Sequence, residues 1–560
     1  MKKKLLEQFF SRQFSAALLS IILLSSIALA RLPQTAAPPR ALSLSIEERD
    51  ISASVKVDTI KEITAALSAA EMEGRGTMQP GGDKAADYIA ARFAKLGLKP
   101  LGSRGYLQSI KFRETDWLPE TSFKIGEGAL KFGSDFVVTP PYSGDKSVSG
   151  QMVFVAFGLI SNVPKRDDLA GIDVKGKIVV LLEGPPRSVD KPSWKKARPQ
   201  ITIIRNLVLL GASGLVFVNT GTTEHPYSEM ADYLTRRQLE RADGEEMPSF
   251  LPPFITLSNE AATKLFEGSE VTFSQALERA EQDNFKPISL KQSAKITVRL
   301  KKAKGLSNNV VGLLEGSDPK LKAEALVYTA HYDAYGVGQG NRVYPGAADN
   351  ALGVAEMIAV AEALTRSTSR PRRSIIFLAV TGEEYGGYGS SYWVENPTWK
   401  IKQVAANLNF DGMGTEVYGP VKTLVGFGAE HSSLGTLLND VAVASGLRVI
   451  TDPMPEEKSF YRSDHYFFVK KGVPGLMILG APEGDVSSWI NRLKEWEKTD
   501  YHQPTDIIRP EWNWDGPRTI AALGLVLGLR VANQDQMPSW LPQSPFNRER
   551  GTNEPPPPEP

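Results

Sequence analysis

There is no cysteine among the 560 residues. That absence excludes thiol catalysis, thiolate-ligated zinc and disulfides, so any metal site must be built from nitrogen and oxygen donors. Histidine is scarce, with five copies, and net charge is nearly missing, since 65 basic side chains against 64 acidic ones leave +1. Nothing in that balance favours a polyanionic partner, so neither nucleic acid nor an anionic membrane surface is expected as one. A hydrophobic run of membrane length is lacking as well. The nearest approach, about Ala16 to Leu24, follows Lys2, Lys3, Lys4 and Arg12 and leads into Ala28-Leu29-Ala30. A membrane anchor would want about 18 to 20 uninterrupted apolar residues, and Ser20, Ser25 and Ser26 dilute this stretch. Basic lead, short apolar segment and small-residue site together read as a signal peptide over 1–30, cut after Ala30. No stable membrane insertion is then expected, and an exported protein without disulfides fits the bacterial periplasm or the exterior.

What the chain does have is a 41% hydrophobic content, that of an ordinary globular protein long enough for two or three domains. Ile60–Ala70 and Asp83–Leu96 carry apolar residues at helical spacing; Ala86, Ile89, Ala90, Phe93 and Leu96 share a face and Gly97 stops the second helix. From Phe136 to Lys291 the texture changes to short β-type runs, Met152–Phe157, Lys177–Leu182, Gly214–Val218 and Phe254–Leu257, which predict a smaller β-rich domain. Pro185–Arg198 and Thr220–Pro248, polar and poorly periodic, read as long surface loops. Asn309–Leu314, Leu326–Ala330, Ser374–Val380 and Ala406–Phe410 then read as buried strands, with a helix over Ala351–Leu364. The fold class that follows is α/β, a mixed, largely parallel sheet flanked by helices. A helix around Thr519–Val531 and a mobile, proline-rich tail close the chain.

Three of these strands run into residues that bind metals: Ala330 into His331-Tyr332-Asp333, Val380 into Thr381-Gly382-Glu383-Glu384, Phe410 into Asp411-Gly412. Asp349 stands just before the intervening helix. Each alone is weak, because a His or Asp at a strand end is more often structural. Together they converge on one sheet edge, where ligands of α/β sheets collect. Asp333, two residues beyond His331, is spaced to accept the free ring N–H of a ligating imidazole. Tyr501-His502-Gln503-Pro504-Thr505-Asp506 offers a second such pair, His502 with Asp506. Two histidines and three carboxylates are oxygen-rich enough for a bridged pair of zinc ions.

The ordered motifs HYD, AADNALG, TGEEYGGYGS, NFDG, RSDHYFF and YHQPTD resemble the M28 family of zinc peptidases over roughly Asn308–Ala532, with a weaker lead-in from Gly74 to Gln108. Asp168–Gly184 with Gly211–Asn219 is similar to a protease-associated (PA) domain. The resemblance implies a zinc-peptidase fold in the order 44–135 (first part of the peptidase domain), 136–291 (inserted PA-like domain), 297–535 (catalytic domain) and 536–560 (tail). It makes Asp349 the carboxylate shared by two Zn2+ ions, His331 and Asp411 the other ligands of one, Glu384 and His502 those of the other, Glu383 the general base and Tyr501 the oxyanion donor. Arg462 and His465 are candidates for substrate contact; the family places the last ligand at His502, so His465 is read as structural or substrate-lining. His225 and His431 have no carboxylate at ligand spacing and are read as surface residues. The implied activity is removal of N-terminal residues from peptide substrates. Carboxypeptidase action is the alternative within the family. A glutaminyl cyclase would need one zinc, against the complete bridging set, and a non-catalytic binding protein would have lost ligands that are all present here.

Overall fold

A computed structural model describes residues 43–557, apart from 139–143, 163–164, 191–192, 195–198, 222–225, 245–250, 413, 415 and 483–484. The signal peptide and His225 lie outside the described residues. A ten-stranded mixed sheet organises the larger body. Across it the strands run Gln238–Arg241, Leu107–Trp117, Leu300–Leu314, Ser374–Val380, Ala325–His331, Val404–Asn409, Gly475–Pro482, Val421–Phe427 and Arg448–Ile450, with Lys99–Pro100 also paired to Leu300–Leu314. The four strands from Ser374–Val380 to Gly475–Pro482 are mutually parallel, and the strands beside them are antiparallel.

Every residue of Ala325–His331, Ser374–Val380 and Val404–Asn409 is buried, because helices cover both faces; that is why these strands read as unbroken apolar runs. On one face Leu326, Tyr328, Ile375 and Phe377 meet the helices Val57–Leu67, Pro80–Lys95, Gly353–Arg366 and Asp515–Asn533. On the other, Val327, Ile376, Leu378 and Val380 pack against Trp393 and Phe468. Asp515–Asn533 can lie close to the sheet because a Cβ on Gly528 would sit 1.8 Å from the Tyr328 hydroxyl. That hydroxyl donates to the Gly524 carbonyl at 2.9 Å, so the buried phenol is satisfied.

The second sheet has eight strands and its own core, and includes all four β-type runs expected. It reaches from Ser122–Ile125 to Ile288–Val298, wider than the expected 136–291. Beside it, in a short two-stranded ribbon and the turn after it, Arg166 and Asp168, both fully buried, pair at 2.7 Å, and the Asp168 carboxylate also accepts from the Phe157 and Leu159 amides.

Two expectations are corrected. Thr220–Pro248 is not simply a loop: Tyr227–Thr235 is a helix and Gln238–Arg241 an edge strand of the large sheet. Its charges hid it, since an edge strand can keep Arg237, Glu240 and Arg241 where each finds a partner: Glu114 at 2.6 Å, Arg113 at 2.9 Å and Glu395 at 2.7 Å. The tail is packed over its first part. Phe546 is buried, the Trp540 indole donates to the Gly472 carbonyl, and Arg550 donates to the carbonyls of Val404 and Ala405.

Helix Gly353–Arg366, which leads out of the Asp349 loop, buries Glu356 to 1% exposure, with one carboxyl oxygen unpartnered among the described residues. Burial and the nearby Glu416 raise its pKa well above the ordinary 4.5. The folded chain therefore holds this proton more tightly than the unfolded chain. The stability this group contributes is full below the ordinary glutamate value and is lost as pH rises from that value toward the raised one. Glu356→Gln is expected to stabilise the protein at neutral pH. Chemical denaturation should show the gap over wild type widening by up to about 1.4 kcal/mol per pH unit above that value, and closing below it.

Candidate metal centre

Parallel pairing sets the site. His331 is in register with Val380, and Thr329 with Asn409, so the carboxyl ends of three adjacent strands stop at one level. His331 is the last residue of its strand, and Glu383, Glu384 and Asp411 follow within four residues of the other two. Asp349 arrives from the loop before Gly353–Arg366, in non-helical backbone. His502 comes from the loop after helix Val486–Thr499 and holds the left-handed φ of 58°.

The side chains form two groups that share Asp349. His331 Nε2 lies 3.2 Å from Asp349 Oδ1 and 3.3 Å from Asp411 Oδ1. His502 Nε2 lies 3.3 Å from Asp349 Oδ2 and 2.9 Å from Glu384 Oε2. Within each triad the ligand-type atoms are all within 4.8 Å of one another. Two nitrogen- and oxygen-donor triads with one common carboxylate match the chemistry of paired divalent ions, and zinc in particular. Glu383 stands beside them, its Oε2 4.0 Å from His331 Nε2. The Tyr501 ring stacks on the His502 ring with centroids 3.6 Å apart.

Electrostatics follow from so much charge in so little water. Burial alone would raise Asp349, but hydrogen bonding from His331 and His502 keeps its carboxyl below the ordinary range. Burial opposes protonation of His502, yet Glu384 and Asp349 raise it to about 9. Burial raises Glu383 well above ordinary glutamate; His331 works against this, while Asp464, Asp411 and Glu384 add to it.

Several side chains act differently from expectation. The His331 Nδ1 is 3.2 Å from the Asp333 backbone carbonyl and 3.9 Å from its carboxylate. The carboxylate instead accepts from the Glu383 amide and the Thr77 hydroxyl. Asp506 likewise leaves His502 alone: its two oxygens accept the amides of Ala348 and Asp349 at 2.9 and 3.0 Å. His502 Nδ1 faces the Tyr335 hydroxyl at 3.3 Å. His465 belongs to neither triad. It is fully buried against Phe460, and burial pushes it down to about 3, so it is structural and not substrate-lining. Arg462 pairs loosely with Glu457, at 4.0 Å, and remains 43% exposed. His431 is half-buried between Phe460 and Phe546 and not a surface residue.

Sequence reading passed over four supports. Ser463 donates to Asp411 and accepts from Asn409. Asp464, fully buried, is raised to about 7 by burial, against the pull of His331. Arg75, with 0% exposure, donates to the carbonyls of Tyr332 and Gly346 and so ties the His331 strand to the Asp349 loop. Thr77 reaches both Asp333 and Thr381. The RSDH and GRGT segments carried the signal, but a buried arginine that binds carbonyls has no spacing rule.

The sequence model of peptidase family M28 matches residues 309–527. A vacuolar membrane protease of Clavispora lusitaniae is 37% identical over 108 residues, 19% of this chain and 10% of that protein. The chain thus spans about a tenth of the length of the curated relatives it matches. An aminopeptidase from Aneurinibacillus sp. strain AM-1 superimposes with a TM-score of 0.57 at 18% identity, over 88% of this chain and 97% of that one. BSAP, a zinc aminopeptidase from Bacillus subtilis, does so with 0.53 at 19% identity, over 86% and 96%. Those two likenesses show the α/β fold. The expected bacterial periplasmic or extracellular location is overturned by the curated relatives, whose name points to a vacuolar membrane. Among the described residues no helix is long and apolar enough to cross a membrane. Residues 309–527, which carry His331, Asp349, Glu383, Glu384, Asp411 and His502, thus resemble peptidase family M28, and the fold around them is that of the two aminopeptidases.

Proposed function

We propose that the chain is a two-zinc aminopeptidase that hydrolyses the N-terminal peptide bond of peptides. The observation that carries this reading is the division of Asp349, one oxygen toward His331 and the other toward His502. His331, Asp349 and Asp411 would hold one ion, and Asp349, Glu384 and His502 the other. Zinc held there supplies Lewis acidity, which brings the pKa of water down to about 7 and polarises a carbonyl.

The chain's own groups do the rest. Glu383, buried and raised well above ordinary glutamate, readily takes a proton from the attacking water and returns it to the leaving amine, a role worth about 10² to 10⁴ in rate. Tyr501 stays protonated because burial raises its hydroxyl well above the ordinary phenol value, outweighing Arg462; it is the candidate donor to the developing oxyanion. A substrate's free α-amine would rest against the carboxylates that crowd the cluster. The partly exposed Arg462 favours the second reading, a carboxyl-terminal exopeptidase, since a guanidinium suits a substrate carboxylate.

Glu383→Gln is expected to retain zinc, measured by elemental analysis, and to lose about 10² to 10⁴ in kcat; substantial remaining turnover would reject the base assignment. His502→Ala is expected to lower the zinc content by one ion per chain while His465→Ala leaves it at two, and the reverse pattern would exchange their roles. Short peptides, free, N-acetylated or C-amidated, decide between the two exopeptidases. Cleavage abolished by acetylation alone is expected, whereas cleavage abolished by amidation alone would establish the Arg462 reading.

A further inference from the structure

The edge strand and helix that sequence reading took for a loop reach into the metal centre. The Arg236 guanidinium, between helix Tyr227–Thr235 and strand Gln238–Arg241, donates from Nη2 to the His502 backbone carbonyl at 2.8 Å. It lies 4.0 Å from the Tyr335 ring centroid and 4.9 Å from that of Tyr344. Tyr335 in turn places its hydroxyl 3.3 Å from His502 Nδ1. One arginine thus grips His502 twice, through its carbonyl and through the tyrosine that orients its ring.

His502 needs such a grip. Its φ of 58° lies in the left-handed region, which a non-glycine residue keeps only where its surroundings hold it. The arginine is itself fixed: it is 7% exposed, paired with Asp232, and Asp232 also accepts from the Gln503 side-chain amide at 3.3 Å. Asp232 offsets the guanidinium charge, so a cation can stand this close to a metal ligand without repelling a divalent ion strongly. The Gln339 side-chain amide, donating to the Thr235 carbonyl at 2.9 Å, pins the end of the same helix.

We propose that Arg236 is a positioning residue for His502, so that the segment Tyr227–Arg241 sets the affinity of the metal position formed by Asp349, Glu384 and His502 and leaves that of His331 and Asp411 alone. The proposal rests on the two-ion reading above. Partners that orient a ligating histidine are worth about 10- to 100-fold in metal affinity.

Zinc titration against a competing chelator tests it on the purified full chain. Wild type is expected to bind two ions. Arg236→Ala should weaken one of them by about 10- to 100-fold and leave the other within about twofold, with Arg236→Lys in between, because it keeps the charge but loses the planar stack. In a His502→Ala background, Arg236→Ala should leave the remaining ion unchanged. Should Arg236→Ala fail to fold, Arg236→Lys and Asp232→Asn carry the same comparison. A wild-type chain that takes up fewer than two ions overturns the two-ion reading and this inference with it. A two-ion wild type whose Arg236 variants keep both affinities, or lose both equally, overturns the inference alone.

Discussion

Everything at the centre turns on one carboxylate. Asp349 faces His331 with one oxygen and His502 with the other, across 3.2 and 3.3 Å. To do so it must leave helical geometry, which it does one turn before Gly353–Arg366 begins. Two devices outside the triads hold that departure. Asp506 accepts the amides of Ala348 and Asp349, which supplies partners to N–H groups the helix cannot satisfy. Arg75 binds the carbonyls on either side of the gap, at Tyr332 and Gly346. Without them the loop could relax toward the helix, and the shared oxygen pair would turn away from one histidine.

How much of this was legible in the amino-acid sequence depended on whether a feature is local. The buried parallel strands were legible, since two covered faces leave a continuous apolar run, and their ends pointed to His331, Glu383, Glu384 and Asp411. Partner assignments one shell out were not. Asp333 and Asp506 stand at the right spacing to receive an imidazole N–H, yet both bind backbone amides instead. Spacing measures reach along the chain, whereas the choice between a ring and an amide is made by loops that approach from elsewhere. His465 illustrates the same limit from the other side: its motif looked like a ligand's, and the helix His465–Lys470 turns it into the core.

Gln238–Arg241 was illegible for a different reason. A strand buried on two faces must be apolar, but an edge strand is free to be charged. Arg237 and Glu240 use that freedom, pairing across to Glu114 and Arg113 on the neighbouring strand. Glu240 stands in register with Arg113 and Arg237 reaches Glu114 diagonally, so opposite charges help to position the strand beside its one buried apolar side chain, Leu239. A chain segment placed between strands of the second sheet is thereby stitched into the first. The two sheets are accordingly not independent bodies joined by a linker: chain that lies between two strands of the smaller forms an edge strand of the larger and carries Arg236 to His502.

The charge balance then shows why the arrangement suits metal. Asp349, Glu383, Glu384, Asp411 and Asp464 crowd around two histidines, and two buried arginines beside them are engaged elsewhere, Arg75 with carbonyls and Arg236 with Asp232 and the His502 carbonyl. Burial makes that much negative charge costly. Protons are one remedy, and the raised Glu383, Asp464 and His502 reflect it. Divalent cations are the other, and they compete for the same lone pairs, so uptake of metal must release protons. The histidines lose theirs on becoming ligands, whereas Glu383, a ligand in neither triad, is free to keep or pass one. Of two adjacent glutamates at the end of one strand, the triad thus includes Glu384 and leaves out Glu383, and on the proposed reading the first holds charge while the second moves it.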